Sequence, residues 1–271
     1  MGAMHAWLQR LPWLVVGILL AGYLLDRSGL LPACARQPVG TLADIEITEV
    51  VDGDTFEDSC GRRYRLLNVD TPETDTPWGP AATDFAKGWL RQGPVDVHIC
   101  RSQPRDRYGR LLAAVTRADG RHLHRDILVA GHGWAFHIPP CGKDRAAQAL
   151  ALTRAARQAR RGLWQDWPAQ PVDAATAQQQ DLPYAVVYDR VSSIERDGGD
   201  WRFILGAGAN TLELRVAATA VDRFSPPLTA PVALGAEGKL YASRQPPRIY
   251  VNSAAQLLPP PGRIADTHPQ P

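Results

Sequence analysis

The chain lacks several features that would have classified it at once. None of its four cysteines (Cys34, Cys60, Cys100 and Cys141) stands in a Cys-x-x-Cys pair, so a zinc site is not expected. The formal net charge is only +2, too little to identify a nucleic-acid partner by composition. Any attraction for an anion has to come from local arginines. No internal repeat can be defended. The one long apolar run, Leu11 to Leu25, would make a helix of roughly 22 Å, short of a ~30 Å hydrocarbon core. It has the length of a signal-peptide core, and Ala33-Cys34-Ala35 has the form of a cleavage site. Two readings stay open: an uncleaved membrane anchor, and cleavage near Ala35. Both export the rest of the chain, either anchored outside the cytoplasm (periplasmic or extracellular) or secreted. In an oxidising compartment one disulfide among Cys60, Cys100 and Cys141 is expected, with no pair assigned.

What is present can bury a core: 45% of the residues are hydrophobic and 21% charged. Residues 1–27 read as the signal or anchor and 28–40 as a Gly/Pro linker. In 41–168, Ile45 and Ile47, Tyr64 to Val69, Val95 to Ile99 and Leu111 to Thr116 read as strands. Ala81 to Leu90 reads as a helix, and His124 as the cap of another that ends at Ala130. A longer helix starts at Asp144, with a buried stripe of Ala149, Leu152, Ala156, Ala159 and Leu163. Trp164 and Trp167 are expected to pack back onto the strands. This order gives an α+β domain, a small, partly open barrel covered by helices. Residues 169–181, rich in Ala, Gln and Pro, read as a second linker. Residues 182–258 read as a small β-rich domain, with strands at Ala185 to Val191, Trp201 to Leu205, Thr211 to Val216, Lys239 to Ala242 and Arg248 to Val251. The Pro-rich end, 259–271, reads as disordered.

The chemistry concentrates between Asp52 and Glu73. Four acids (Asp52, Asp54, Asp70 and Glu73) and Arg65 lie on two strand-like runs, and neighbouring strands pair. Pairing would bring Asp54 and Asp70 to one end of the ladder. Two carboxylates forced together repel, unless a cation or a proton lies between them. Oxygen-only donors favour a hard ion, Ca²⁺ or Mg²⁺. The stretch therefore reads as half of a metal-dependent site for a phosphate ester.

Asp52-Gly53-Asp54-Thr55, then Arg65 to Glu73 (Arg-Leu-Leu-Asn-Val-Asp-Thr-Pro-Glu), then Asp106-Arg107-Tyr108-Gly109-Arg110 occur in that order. Together they closely resemble the staphylococcal nuclease (thermonuclease) family. The resemblance covers roughly residues 40–168, and three separated motifs in order make it specific. It implies a five-stranded OB-fold β-barrel with three helices, one bound Ca²⁺, and hydrolysis of DNA and RNA that leaves 3′-phosphates. By the same resemblance Asp54 and Asp70 supply the metal carboxylates and Thr71 a backbone carbonyl. Glu73 is the general base, or positions the water. Arg65 and Arg110 hold the scissile phosphate, and Arg107 and Tyr108 bind substrate. The chain departs from the best-known members in a shorter loop after Glu73 and in scattered arginines where they carry a lysine-rich surface.

Other readings remain beside these. Asp52 shapes the turn more readily than it binds metal. Tyr108 is either a stacking residue or barrel packing, and Trp134 and His137 either pack or flank a substrate base. His122 and His124 have strand-type metal spacing but no third ligand. Arg154, Arg157 and Arg161 line one helix face, read as solvated. The rival functions are a catalytically inactive nucleic-acid-binding module and an envelope scaffold. DNA or RNA is the expected partner and a monomer the expected state.

Overall fold

The computed structural model describes residues 34, 38, 40–168, 170–180, 182–221 and 233–258. The signal or anchor segment 1–27, the tail 259–271 and most of the 28–40 linker lie outside them. Among the described residues no helix is long and apolar enough to cross a membrane.

The first unit has strands β1 (Thr41–Ile45), β2 (Ile47–Val50), β3 (Thr55–Asp58), β4 (Arg63–Leu66), β5 (Val95–Ile99) and β6 (Leu111–Arg117), in the order β1-β5-β6-β4-β3-β2. β1 and β2 are two halves of one strand interrupted at Glu46. One half pairs with β5 and the other with β3, so the sheet closes on itself as a five-stranded OB barrel rather than a partly open one. The one parallel contact joins β4 to β6. In β5 the β-branched Val95, Val97 and Ile99 are buried while Asp96 and His98 face outward, the alternation of a half-buried strand. Phe56, Tyr64, Leu66, Leu111 and Val115 fill the interior, all fully buried.

Three helices cover this barrel: α1 (Gly79–Leu90), α2 (Leu123–Ala130) and α3 (Lys143–Gln158). α1 carries proline in its first turn, where the missing N–H costs nothing. α2 begins after His122, not at His124, which is buried inside the first turn. The stripe expected for α3 stops early. Arg160 and Gly162 both adopt φ near +53°, a left-handed backbone that ends an α-helix. Leu163 therefore lies in a separate 3₁₀ turn, Gly162–Gln165.

The second unit holds α4 (Ala174–Gln179), β7 (Tyr184–Asp197), β8 (Asp200–Ala207), β9 (Asn210–Val216), α5 (Ala218–Val221), β10 (Ala233–Tyr241), β11 (Arg248–Val251) and the short β12 (Leu257–Leu258). β7 pairs with β8, and β8 with β9. β9 runs parallel to β11, β11 pairs with β10, and β10 returns to β7. Numbering the strands of each unit one to five gives the same circuit twice: 1-2-3-5-4-1, with strands three and five parallel. The β-rich domain is a second barrel of OB connectivity.

Residues expected as a linker belong to this unit. Asp173 caps α4 by accepting the Thr176 N–H at 2.7 Å, and Val172 bridges Val187. β10 starts six residues before the expected Lys239, through Ala-Leu-Gly-Ala-Glu-Gly. Glycine and alanine have little strand propensity, and pairing with β7 overrides it.

The two barrels are docked by a shared core. Trp134, Trp164 and Trp167 form one buried cluster with Tyr184 and Val186 of the second unit. Arg154 and Arg157 of α3 do not form the solvated face read from the sequence. Arg154 pairs with the fully buried Glu237, Arg157 lies 3.6 Å from the same carboxylate, and Tyr184 donates to it at 3.0 Å. Removing one partner of such a buried group typically costs ~3–5 kcal/mol, so the docking is a fixed interface.

Candidate active site

β3 and β4 pair in the register Thr55↔Arg65. The turn before β3 and the segment after β4 therefore emerge at the same end of the first barrel. Gly53 makes their closure possible: a Cβ there would lie 2.8 Å from the Thr71 side chain, so a larger residue would hold the turn off. Asp52 shapes that turn by accepting the Asp54 N–H at 2.9 Å.

Asp54, Asp70 and Arg65 are brought together there, each at least 95% buried. Arg65 lies between the acids, Nη1 at 3.2 Å from Asp54 Oδ2 and Nη2 at 2.6 Å from Asp70 Oδ1. Nη1 also donates to the Leu66 and Val69 carbonyls at 2.7 and 2.8 Å. The guanidinium is thus fixed by the fold alone. The Thr71 N–H donates to Asp54 Oδ2 at 2.9 Å.

Burial pushes the Asp54 carboxyl up to about 7; Arg65 opposes the rise, and the charges on Asp70 and Asp52 add to it. Its ionised form is under-compensated, which is the condition a bound dication relieves. The donors are all oxygen, as a hard ion prefers. Among the described residues no group of three or more His, Cys, Asp or Glu converges to hold a metal, so backbone and water ligands would complete the shell. On this donor chemistry the residues fit a hard divalent cation.

Glu73 is exposed on the lip of the same cleft. Partial burial first, then the charge on Asp70, raises its pKa, with Lys239 opposing. Arg110 enters from the β5–β6 loop. Its Nε pairs with Asp106 Oδ2 at 2.8 Å, and Nη1 donates to Thr55 Oγ1 at 3.2 Å. Asp106 also accepts the Tyr108 and Arg110 N–H groups at 2.9 and 3.0 Å, which shapes the loop. Tyr108 is 66% exposed, so it is not barrel packing. The Arg107 and Arg110 guanidiniums lie 4.6 and 5.4 Å from its ring centroid. All eight residues to which the resemblance gives a metal, catalytic or substrate role line one cleft of about 600 Å³. His122 and His124 do not.

Two further residues touch the acids. Trp134, almost wholly buried, donates from Nε1 to Asp70 Oδ2 at 3.1 Å; the sequence reading had it packing or flanking a base. Lys239 comes from β10 of the second barrel, and its Nζ lies 2.7 Å from Asp70 Oδ2. Burial works against the lysine charge, but Asp70 outweighs it and the pKa rises. Lys239 is 169 positions from Asp70, and no sequence signal points to it.

Both disulfides are formed among the described residues, Cys34–Cys60 and Cys100–Cys141. The sequence reading expected one. Cys100 roots the β5–β6 loop, and Cys141 follows the cleft-lining segment Phe136 to Pro139, so this bond ties two walls of the cleft together.

The model of the family described as staphylococcal nuclease homologue matches residues 63–166, which include every one of the eight residues except Asp54. A protein of Escherichia coli O157:H7 named "Uncharacterized endonuclease" is 36% identical over 129 residues, 46% of this chain and 80% of that protein. The thermonuclease of Staphylococcus intermedius is 32% identical over 130 residues, 45% of this chain and 74% of the relative. A succinoglycan biosynthesis protein, ExoI of Rhizobium meliloti, is 29% identical over 170 residues, 60% of this chain and 80% of its own length.

Proposed function

The chain belongs to the staphylococcal nuclease family and is a nuclease, and from that premise we propose that it is a Ca²⁺-dependent phosphodiesterase leaving 3′-phosphates on DNA or RNA. The observation that carries this reading is Arg65 fixed between Asp54 and Asp70 at the base of a cleft also lined by Glu73 and Arg110. Asp54, Asp70 and Thr71 would hold the ion, which acts as a Lewis acid on a phosphoryl oxygen when bound.

The chain's own residues account for the rest. A phosphodiester is anionic and repels an incoming hydroxide, so its charge must be offset first. Arg65 and Arg110 bind the non-bridging oxygens, where charge grows towards the transition state. Their forks stay protonated at any working pH. Glu73 removes a proton from the attacking water, and its raised pKa brings it closer to neutrality, where a general base is most effective. The P–O5′ bond breaks, and the 5′ oxygen leaves and takes up a proton. Arg107 and Tyr108 hold the neighbouring nucleotide.

The test is digestion of single-stranded DNA and RNA with Ca²⁺, with EGTA, and by Glu73→Gln. The expected result is loss of cleavage in EGTA and a fall of ~10²–10⁴-fold for Glu73→Gln. Cleavage untouched by both overturns the mechanism. Two disulfides support an exported location, since such bonds persist in oxidising compartments. The Cys34–Cys60 bond supports retention of Cys34 in the mature chain. A mature N-terminus mapped beyond Cys34 overturns that.

A further inference from the structure

The nuclease cleft is not built by the nuclease barrel alone. Besides Lys239, its lining includes Tyr241, Arg244 and Tyr250. Tyr241 ends β10, Tyr250 lies in β11, and Arg244 is exposed on the turn between them. In the first barrel the equivalent connection, strand four to strand five, is the loop that carries Arg107, Tyr108 and Arg110. Each barrel therefore presents its strand 4–5 connection to the same cleft, and each connection, with its flanking strand ends, brings arginine and tyrosine there. Those loops are a recurrent oligonucleotide-binding surface of OB barrels, although topology alone assigns no function.

We propose that the second barrel is the far wall of the nuclease cleft and that its β10–β11 loop binds single-stranded polynucleotide together with the β5–β6 loop of the first. Three observations carry this. The wall is held rigidly, through the shared tryptophan cluster and the buried Glu237, so the loop is presented in a fixed place. Lys239 delivers a cation to the acid pair itself, 2.7 Å from Asp70. With Arg65 it balances the two carboxylates, so an added divalent ion leaves the floor positive and receptive to a phosphate. Finally, aromatic faces stand on both sides. Tyr108 is exposed on one, while Tyr241 and Tyr250 meet edge to face at 5.3 Å on the other. Aromatic platforms interleaved with cations grip the bases of a single strand, whose faces the stacking of a duplex would hide. A cleft of about 600 Å³ is of the size that holds a small ligand, enough for nucleotides of one strand.

The proposal rests on the nuclease reading, and the two fail differently. The full chain carrying Glu73→Gln, with Ca²⁺ present, is titrated with labelled oligo(dT), oligo(rU) and a duplex of the same length. Single strands are expected to bind at least about tenfold tighter than the duplex, and the dT and rU arms assign the sugar. Tyr241→Ala and Tyr250→Ala should each weaken single-strand binding by about 5- to 100-fold, with Tyr241→Phe restoring most of it because the ring remains. Arg244→Ala, on an exposed turn where folding is not at risk, should reduce the salt dependence of log K by about 0.7. Tyr→Ala variants that bind like their parent, an unchanged salt slope, or a duplex bound as tightly as a single strand would overturn the proposal while leaving a cleaving wild type a nuclease. A wild type that cleaves nothing overturns the nuclease reading, and this one with it.

Discussion

The two barrels share one strand circuit and bury opposite charges on its third strand. In the first, Arg65 on β4 lies between Asp54 and Asp70. In the second, Glu213 on β9 is fully buried between Arg202 at 3.2 Å and Arg248 at 2.7 Å. Both are ionic trios at the same topological position. Only the first opens onto the cleft. Lys239 reaches Asp70 from the other barrel, so the charges of the acid pair are matched, but burial still raises Asp54. The second trio holds one acid and two arginines, and both arginines have other partners, Glu195 and the Tyr250 hydroxyl. The circuit sets where a charged group can sit; what surrounds it decides whether that group is chemistry or scaffold.

The largest effect expected from breaking this contrast is on rate. Arg65→Gln should lower kcat by ~10²–10³-fold, as for other groups that stabilise a developing oxyanion. Arg65→Lys should recover little, because an ammonium cannot reproduce the fork. A loss under tenfold in steady-state digestion would place Arg65 with Glu213 as scaffold. Next comes the Cys100–Cys141 bond, which only the first barrel has. Its loop spans 41 residues, for which chain entropy gives about 4 kcal/mol as an upper figure. The double serine variant should unfold in urea earlier by up to that amount and raise KM, since the bond joins two walls of the cleft. An unchanged midpoint would show that packing alone holds the loop. Third, Glu213→Leu should cost about 3 kcal/mol of stability by leaving two arginines short of a partner, with digestion rates within tenfold of wild type. A collapse in rate without a loss of stability would mean that the second trio also serves the reaction.

Most of the first barrel was legible because its signals are local. Alternation along β5 and the ordered Asp52 to Thr55, Arg65 to Glu73 and Asp106 to Arg110 runs need no knowledge of distant partners, and all eight residues given roles from them line the cleft. What escaped was long-range. Cys34 falls in the linker, inside the Ala33-Cys34-Ala35 cleavage-site form, so its bond to Cys60 was not expected. The run Ala233 to Gly238 carries little strand propensity, which hid most of β10, and the strand read from Lys239 onwards gave no sign of its contact with Asp70, 169 positions away. Arg154 and Arg157 read as a solvated face because nothing in their own helix reveals Glu237, some 80 positions on. The doubled circuit itself left no repeat in the sequence, because strand connectivity is fixed by pairing and not by residue identity.

The smallest effect separates the barrels by pH. Every histidine of the two barrels belongs to the first; residues 182–258 contain none. His124 is 4% exposed, and burial lowers its pKa to about 4, with His122, Arg145 and Arg125 pushing the same way and Asp126 opposing. The folded chain thus resists protonating this ring while the unfolded chain takes the proton near 6.5. Its contribution is fully present above that value and is lost as the pH falls towards 4, by up to about 3 kcal/mol. Asp54 acts with the opposite sign, since its raised folded pKa favours the native state as pH falls through about 7. The net slope of the wild type therefore says little, and the informative quantity is the difference between wild type and His124→Gln. That difference in urea midpoint should shrink steadily between pH 7 and pH 4. A difference independent of pH would mean that the fold leaves the His124 pKa at its unfolded value, and a difference that grows as pH falls would mean an imidazolium held by Asp126. The acid sensitivity of the first barrel would then have to come from its carboxylates.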